Sequence, residues 1–116
     1  MELKEKHCWA EIDVDAIKSN YELIKYTLDK PFYTVIKADA YGHGAVQIAR
    51  LLQDRCAFFG VSSMLEALEL RQAGLTAPIL ILGRMPVSAI PHAVRENVRP
   101  TICHYEDAVA LSEEAK

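Results

Sequence analysis

The chain has 116 residues, 51% of them hydrophobic and 25% charged, with a formal net charge of −3. This is the balance of one modest globular domain and excludes a disordered chain. The mild negative charge leaves no basic footprint for a nucleic-acid partner, and no apolar run approaches the ~20 residues of a membrane helix.

Residues 1–6, M-E-L-K-E-K, carry no apolar stretch of the kind a secretory leader needs, so a cytoplasmic protein is expected. Cys8, Cys56 and Cys103 are far apart and form no C-x-x-C pair. They read as reduced, mostly buried thiols of a cytoplasmic protein. His7, His43, His92 and His104 lack metal-ligand spacing, and no metal site is expected.

Residues 8–14 alternate, with Cys8, Ala10, Ile12 and Val14 on one side and Trp9, Glu11 and Asp13 on the other. A period of two predicts a strand with one wet face, outside any parallel sheet. Asp13 or Asp15 can cap the helix that follows, whose inner face is predicted to be Ile17, Tyr21, Ile24 and Leu28. Asp29-Lys30-Pro31 ends it. Phe32 to Ile36 is a β-branched and aromatic run, apolar on both faces, and predicts a buried strand.

A helix is expected from Ala45 to Gln53, with Val46, Ala49 and Leu52 inward and Ile48 beside them. A strand follows at Phe58–Ser62. Ser63 then caps a helix, with Glu66 completing a capping box and Met64, Leu65 and Leu68 facing inward. Gly74 stops that helix. Ile79 to Leu82 is the next strand. Ser88 is placed as the cap of a fourth helix, with Pro91 in its first turn and Val94 on its inner face. Arg99 to Cys103 is the last strand, weakened by Pro100. Glu106 and Asp107 start a final helix at the end its dipole favours for negative charge.

Parallel strands thus begin near residues 32, 58, 79 and 99. A closed (β/α)8 barrel needs eight strands and roughly 200–250 residues or more. The chain holds about half of that: either the first half of a TIM-type barrel or an open, flavodoxin-like sheet. In the half-barrel, the inner side chains Val35, Val61 and Leu80 are expected to lack an opposing layer.

Where the first of these strands ends, chemistry is concentrated. Val35 to Gly44 reads V-I-K-A-D-A-Y-G-H-G. A lone lysine, Lys37, stands at the carboxyl end of a strand, a glycine loop follows, and a helix starts at Ala45. In parallel α/β folds, sites sit at that end of the strands. Lys37 also reads as an ordinary lysine with its amine in water. Among apolar groups, desolvation disfavours the charged form of an amine. A neutral amine can attack a carbonyl and form a Schiff base, and among cofactors the commonest such carbonyl is the aldehyde of pyridoxal phosphate.

The decamer resembles the signature of alanine racemases, V-x-K-A-N-A-Y-G-H-G, with Asp39 where the family commonly has Asn. Trp9 to Ile17 (W-A-E-I-D-V-D-A-I) resembles the family's opening segment, and Pro78 to Gly83 (P-I-L-I-L-G) its P-I-L-V-L-G strand. The resemblance favours the barrel over the open sheet. It implies that residues 1–116 form a partial N-terminal barrel domain, that the strand at 8–14 belongs to a separate β-domain, and that a C-terminal β-domain is absent from this chain.

The resemblance further implies a pyridoxal 5′-phosphate-dependent isomerase interconverting L- and D-alanine, supplying D-alanine for cell-wall peptidoglycan, cytoplasmic and homodimeric at full length. Lys37 then corresponds to the lysine that holds the cofactor and serves as one of two bases. Tyr41 corresponds to a residue bonding the cofactor phosphate, and Leu82 to a leucine near its ring, though Leu82 reads equally well as core packing. The second base in the family is a tyrosine of the partner subunit's C-terminal domain. The family's pyridine-facing arginine and most of its phosphate site come from later strands. On the same residues, the alternatives are a serine or broad-specificity amino-acid racemase and a non-catalytic pyridoxal-phosphate-binding protein. This fragment alone is expected to be inactive.

Overall fold

The computed structural model describes residues 7–116. The reading of the first six residues as lacking a leader therefore lies outside the described residues. The elements are α1 (Val14–Leu28), β1 (Tyr33–Val35), a short turn of helix at Lys37–Tyr41, α2 (Ala45–Leu52), β2 (Phe58–Val61), α3 (Met64–Gln72), β3 (Ile79–Ile81), a 3-10 turn (Val87–Ala89), α4 (Ile90–Arg95), β4 (Val98–Pro100) and α5 (Tyr105–Glu114). The four strands form one parallel sheet in the order β1-β2-β3-β4. The molecule is a slab of 50 × 48 × 22 Å, one sheet and one helical layer thick. This is the α/β half-barrel expected from the sequence. No described helix is long and apolar enough to cross a membrane.

Register decides which side chains face the helices. Thr34 lies beside Phe59, Phe59 beside Ile79, and Ile79 beside Val98. This row and its neighbours Ile36, Val61 and Ile81 meet the helices, and all but Thr34 are buried. The opposite row is Val35, Gly60, Leu80 and Arg99. It faces the side where a closed barrel would have its far wall, and Val35 is exposed. One expectation is corrected here: Val61 is only 1% exposed and belongs to the helix side. Gly60 takes its place on the inner face, because successive residues of a strand alternate sides. On that face Tyr33 meets Phe58 edge-on at 5.5 Å, and the Arg99 guanidinium covers the Phe58 ring at 4.6 Å.

The helices follow from caps and apolar stripes. Asp13 accepts the Ala16 N–H at 3.0 Å and starts α1. Of its expected inner face, Tyr21 is buried and Ile17 partly so, while Ile24 and Leu28 are exposed. They lie on a part of α1 that no described element covers. In α2 the buried residues are Ala45, Ile48, Ala49 and Leu52. Ser63 accepts the Glu66 N–H at 3.3 Å and caps α3, and Gly74 follows its end with φ 85°. The inner stripe of α3 is Met64, Ala67 and Leu70. Leu65, expected inside, is 78% exposed. It sits one residue, about 100° of helix turn, off the stripe.

The last units shift more. Ser88 lies inside the 3-10 turn and caps nothing; α4 starts at Ile90 with Pro91 in its first turn, and Ile90 and Ala93, rather than Val94, are its buried residues. Pro100 is accommodated because β4 is an edge strand, whose outer side needs no ladder donor. No strand forms at 8–14 among the described residues: Val14 already begins α1, and residues 8–13 have no ladder partner. Cys8 and Cys103 are exposed and Cys56 half-buried, so the thiols are not mostly buried.

Two arginines tie the units together. Arg71, near the end of α3, donates to the carbonyls of Leu75 (2.8 Å), Ala77 (2.9 Å), Glu96 (2.9 Å) and Asn97 (3.2 Å). It thereby joins the exit of α3 to the loop entering β4. Arg84, in the loop after β3, grips the buried carboxylate of Asp107 with two bonds of 3.1 Å. That guanidinium holds the Asp107 carboxyl below the usual carboxylate range.

Candidate active site

Lys37 leaves the carboxyl end of β1, where the backbone does something unusual. Ile36 still bonds to the sheet, its N–H reaching the Gly60 carbonyl at 2.9 Å. Ala38, Asp39, Ala40 and Tyr41 then adopt φ of 51°, 54°, 53° and 56°. With ψ of 44–51° at the first three, this is a turn of left-handed helix built from L-residues other than glycine. Such a conformation costs roughly 1–2 kcal/mol per residue, because Cβ crowds the following carbonyl. The local sequence limits that cost. Two positions are alanine, and Asp is among the residues that enter this region most readily.

Hydrogen bonds hold the turn. Ala40 N–H reaches Ile36 O at 2.9 Å, Gly44 N–H reaches Asp39 O at 2.9 Å, and His43 N–H reaches Ala40 O at 3.1 Å. The Asp39 carboxylate accepts the Ala45 N–H at 2.8 Å, capping α2 from six residues upstream. An Asn oxygen can accept that bond as well, so the departure from the family signature at Asp39 preserves the contact. The negative charge also suits the amino end of α2. Gly42 and Gly44, at φ 88° and 92°, carry the chain out of the turn.

Gly60 makes the inner face concave beside Lys37. A Cβ there would lie 3.1 Å from Leu82 Cδ1 and 3.5 Å from Val35 Cγ2. Leu82 and Val35 thus converge over a gap that only glycine leaves open. Leu82 is 39% exposed, at the carboxyl end of β3. The structure therefore brings Leu82 over Gly60, on the strand next to the one that leads into Lys37. Tyr41, at the end of the left-handed turn, is 61% exposed and packs into no core. It stands on the same loop as Lys37.

The sequence predicts Glu66 only as part of a capping box at the amino end of its own helix. Its carboxylate instead spans two strand exits, Oε1 accepting the Ala38 N–H at 3.0 Å and Oε2 the Ser62 N–H at 2.7 Å. Burial alone would push this carboxyl up. The Ser62 and Ala38 amides and the Lys37 charge outweigh burial and hold it below the usual range. Serine followed three residues later by glutamate predicts proximity to the helix start, but not a second strand supplying a donor.

Set against known proteins, the chain matches the family model of the alanine racemase N-terminal domain over residues 12–116. Alanine racemase of Clostridium tetani is 42% identical over 109 residues, 92% of this chain and 28% of that protein. Alanine racemase of Clostridium difficile 630 superposes with a TM-score of 0.86 at 41% identity, over 90% of this chain and 28% of the other. A histidine racemase from Leuconostoc mesenteroides subsp. sake gives a TM-score of 0.78 at 28% identity, over 87% of this chain and 28% of the other. The chain thus spans less than a third of the length of these relatives.

Proposed function

The chain belongs to the alanine racemase N-terminal domain family, and we propose that it is the N-terminal part of a pyridoxal 5′-phosphate-dependent racemase interconverting L- and D-alanine. The observation that carries this reading is the placement of Lys37 at the carboxyl end of β1, beside the concave patch at Gly60. The residues present fit the cofactor. Lys37 offers an amine to an aldehyde, the Leu82–Gly60–Val35 surface offers an apolar seat for a flat ring, and exposed Tyr41 offers a hydroxyl to a phosphate. When bound, the cofactor withdraws electrons from the substrate and acidifies its Cα–H.

The chain's own residues have distinct tasks. Lys37 Nζ holds the cofactor and, once released, takes or returns the proton on one face of Cα. Tyr41 orients the phosphate and Leu82 one face of the ring. The left-handed turn fixes where Lys37 leaves the sheet. Racemisation needs a base on the opposite face too, and the family resemblance assigns that to a tyrosine of the partner subunit's C-terminal domain, so the full-length protein works as a homodimer. On this reading residues 1–116 are a partial barrel domain, residues 8–13 ahead of α1 pair within a separate β-domain, and this chain alone is inactive. The cellular role is cytoplasmic supply of D-alanine for peptidoglycan.

A racemase for another amino acid is the second reading, supported by the likeness to a histidine racemase. Turnover of L-alanine, L-serine and L-histidine by the full-length protein, with Lys37→Ala as control, tests both. Alanine turnover well above the other two, lost in the variant, is expected. Preference for another amino acid replaces the first reading with the second, and cofactor binding without any turnover refutes both.

A further inference from the structure

We propose that Glu66 is the positioning residue for Lys37: its carboxylate spans the exits of β1 and β2 and pins the peptide that follows Lys37. This rests on the reading of Lys37 as the cofactor-holding residue and assigns a task to a residue outside the family signature.

The argument begins with two orphan donors. β1 ends at Val35 and β2 at Val61. Beyond those ends Ala38 N–H and Ser62 N–H have left the ladder, and each takes one oxygen of the same carboxylate, at 3.0 and 2.7 Å. The lysine backbone is therefore clamped on both sides. Ile36, before it, bonds to Gly60 of β2, and Ala38, after it, bonds to Glu66. Ala38 is also the first residue of the left-handed turn, so this bond fixes the point where the backbone changes hand.

The clamp requires a carboxylate. Two oxygens must accept from two N–H groups in different strands. A glutamine can offer one oxygen, but its NH2 would face the other N–H. The Lys37 charge is the least of the causes that hold the Glu66 carboxyl below its usual range; the Ser62 and Ala38 amides come first. Glu66 thus fixes the backbone from which Lys37 leaves the sheet.

The test uses the full-length protein freed of cofactor, with Glu66→Gln and Glu66→Asp. Glutamine keeps size and removes charge; aspartate keeps charge and is too short to reach both N–H groups. Amide exchange at Ala38 is read by peptide mass, and the dissociation constant of added pyridoxal phosphate by equilibrium dialysis. Both variants should speed Ala38 exchange and raise the cofactor dissociation constant by about threefold or more, since neither keeps both bonds of the clamp. Ala38 exchange at the wild-type rate, or faster exchange with the cofactor held as tightly as in wild type, would reduce Glu66 to a loop brace and overturn the proposal. Failure of the parent reading shows elsewhere: there the cofactor would be trapped at a lysine other than Lys37, whatever Glu66 does.

Discussion

Replacing Asp39 probes how the turn after Lys37 is held. Its carboxylate accepts the N–H of Ala45, a buried residue at the start of α2, at 2.8 Å. Asp39→Ala leaves that donor without its acceptor, which costs about 1–3 kcal/mol. The backbone at φ 54° also suits alanine less well than aspartate. Asp39→Asn keeps an acceptor and loses only the interaction of a charge with the α2 dipole, about 0.3–1 kcal/mol. The local readout is amide exchange of Ala45 in the full-length protein. If opening of this turn controls exchange, Asp39→Ala should speed it roughly 5- to 150-fold, by the factor of ten per 1.4 kcal/mol. Asp39→Asn should speed it by less than about sixfold. Exchange in Asp39→Ala as slow as wild type would refute the capping role. Equal acceleration in both variants would refute the division between bond and charge.

Three further outcomes are expected. Tyr41→Phe should raise the cofactor dissociation constant about ten- to a hundredfold, since a hydrogen bond to a charged phosphate contributes about 1.5–3 kcal/mol; equilibrium dialysis checks it, and unchanged affinity would place the hydroxyl elsewhere. Arg71→Ala should destabilise the domain by at least about 3 kcal/mol, because four carbonyls lose a charged donor; Arg71→Lys should recover little of it in urea denaturation, since one ammonium cannot span that arc. Asp107 titrates below its ordinary range when folded, so its contribution is complete above about pH 4, the ordinary value, and is lost as pH falls through the lowered one; amide protection in α5 should drop on acidification, and Asp107→Asn should remove that pH dependence.

Much of the fold was legible because local signals were strong. The observed strands start at 33, 58, 79 and 98, within one residue of expectation, because apolar runs alternate with capped helices. Asp13 and Ser63 announce their helices by residue type, and both bonds are present. The inner and outer faces of β2 were not legible. Phe58-Phe59-Gly60-Val61 is apolar throughout, so only pairing with β1 and β3 sets which residues face the helices. The left-handed turn was hidden for a related reason. Alanine and aspartate suit several backbone conformations, and it is the acceptors at Ile36, Asp39, Ala40 and Glu66 that select the rare one. Glu66 was visible as a residue and not as a bridge, since its second partner is 28 positions away.

The most direct test of the central claim is the site at which cofactor is trapped. The full-length protein is loaded with pyridoxal phosphate, reduced with borohydride, digested, and mapped by mass. The account predicts one modified peptide, with the adduct on Lys37, and no stoichiometric adduct in Lys37→Ala. Stoichiometric trapping at any other lysine in the wild-type protein would contradict it.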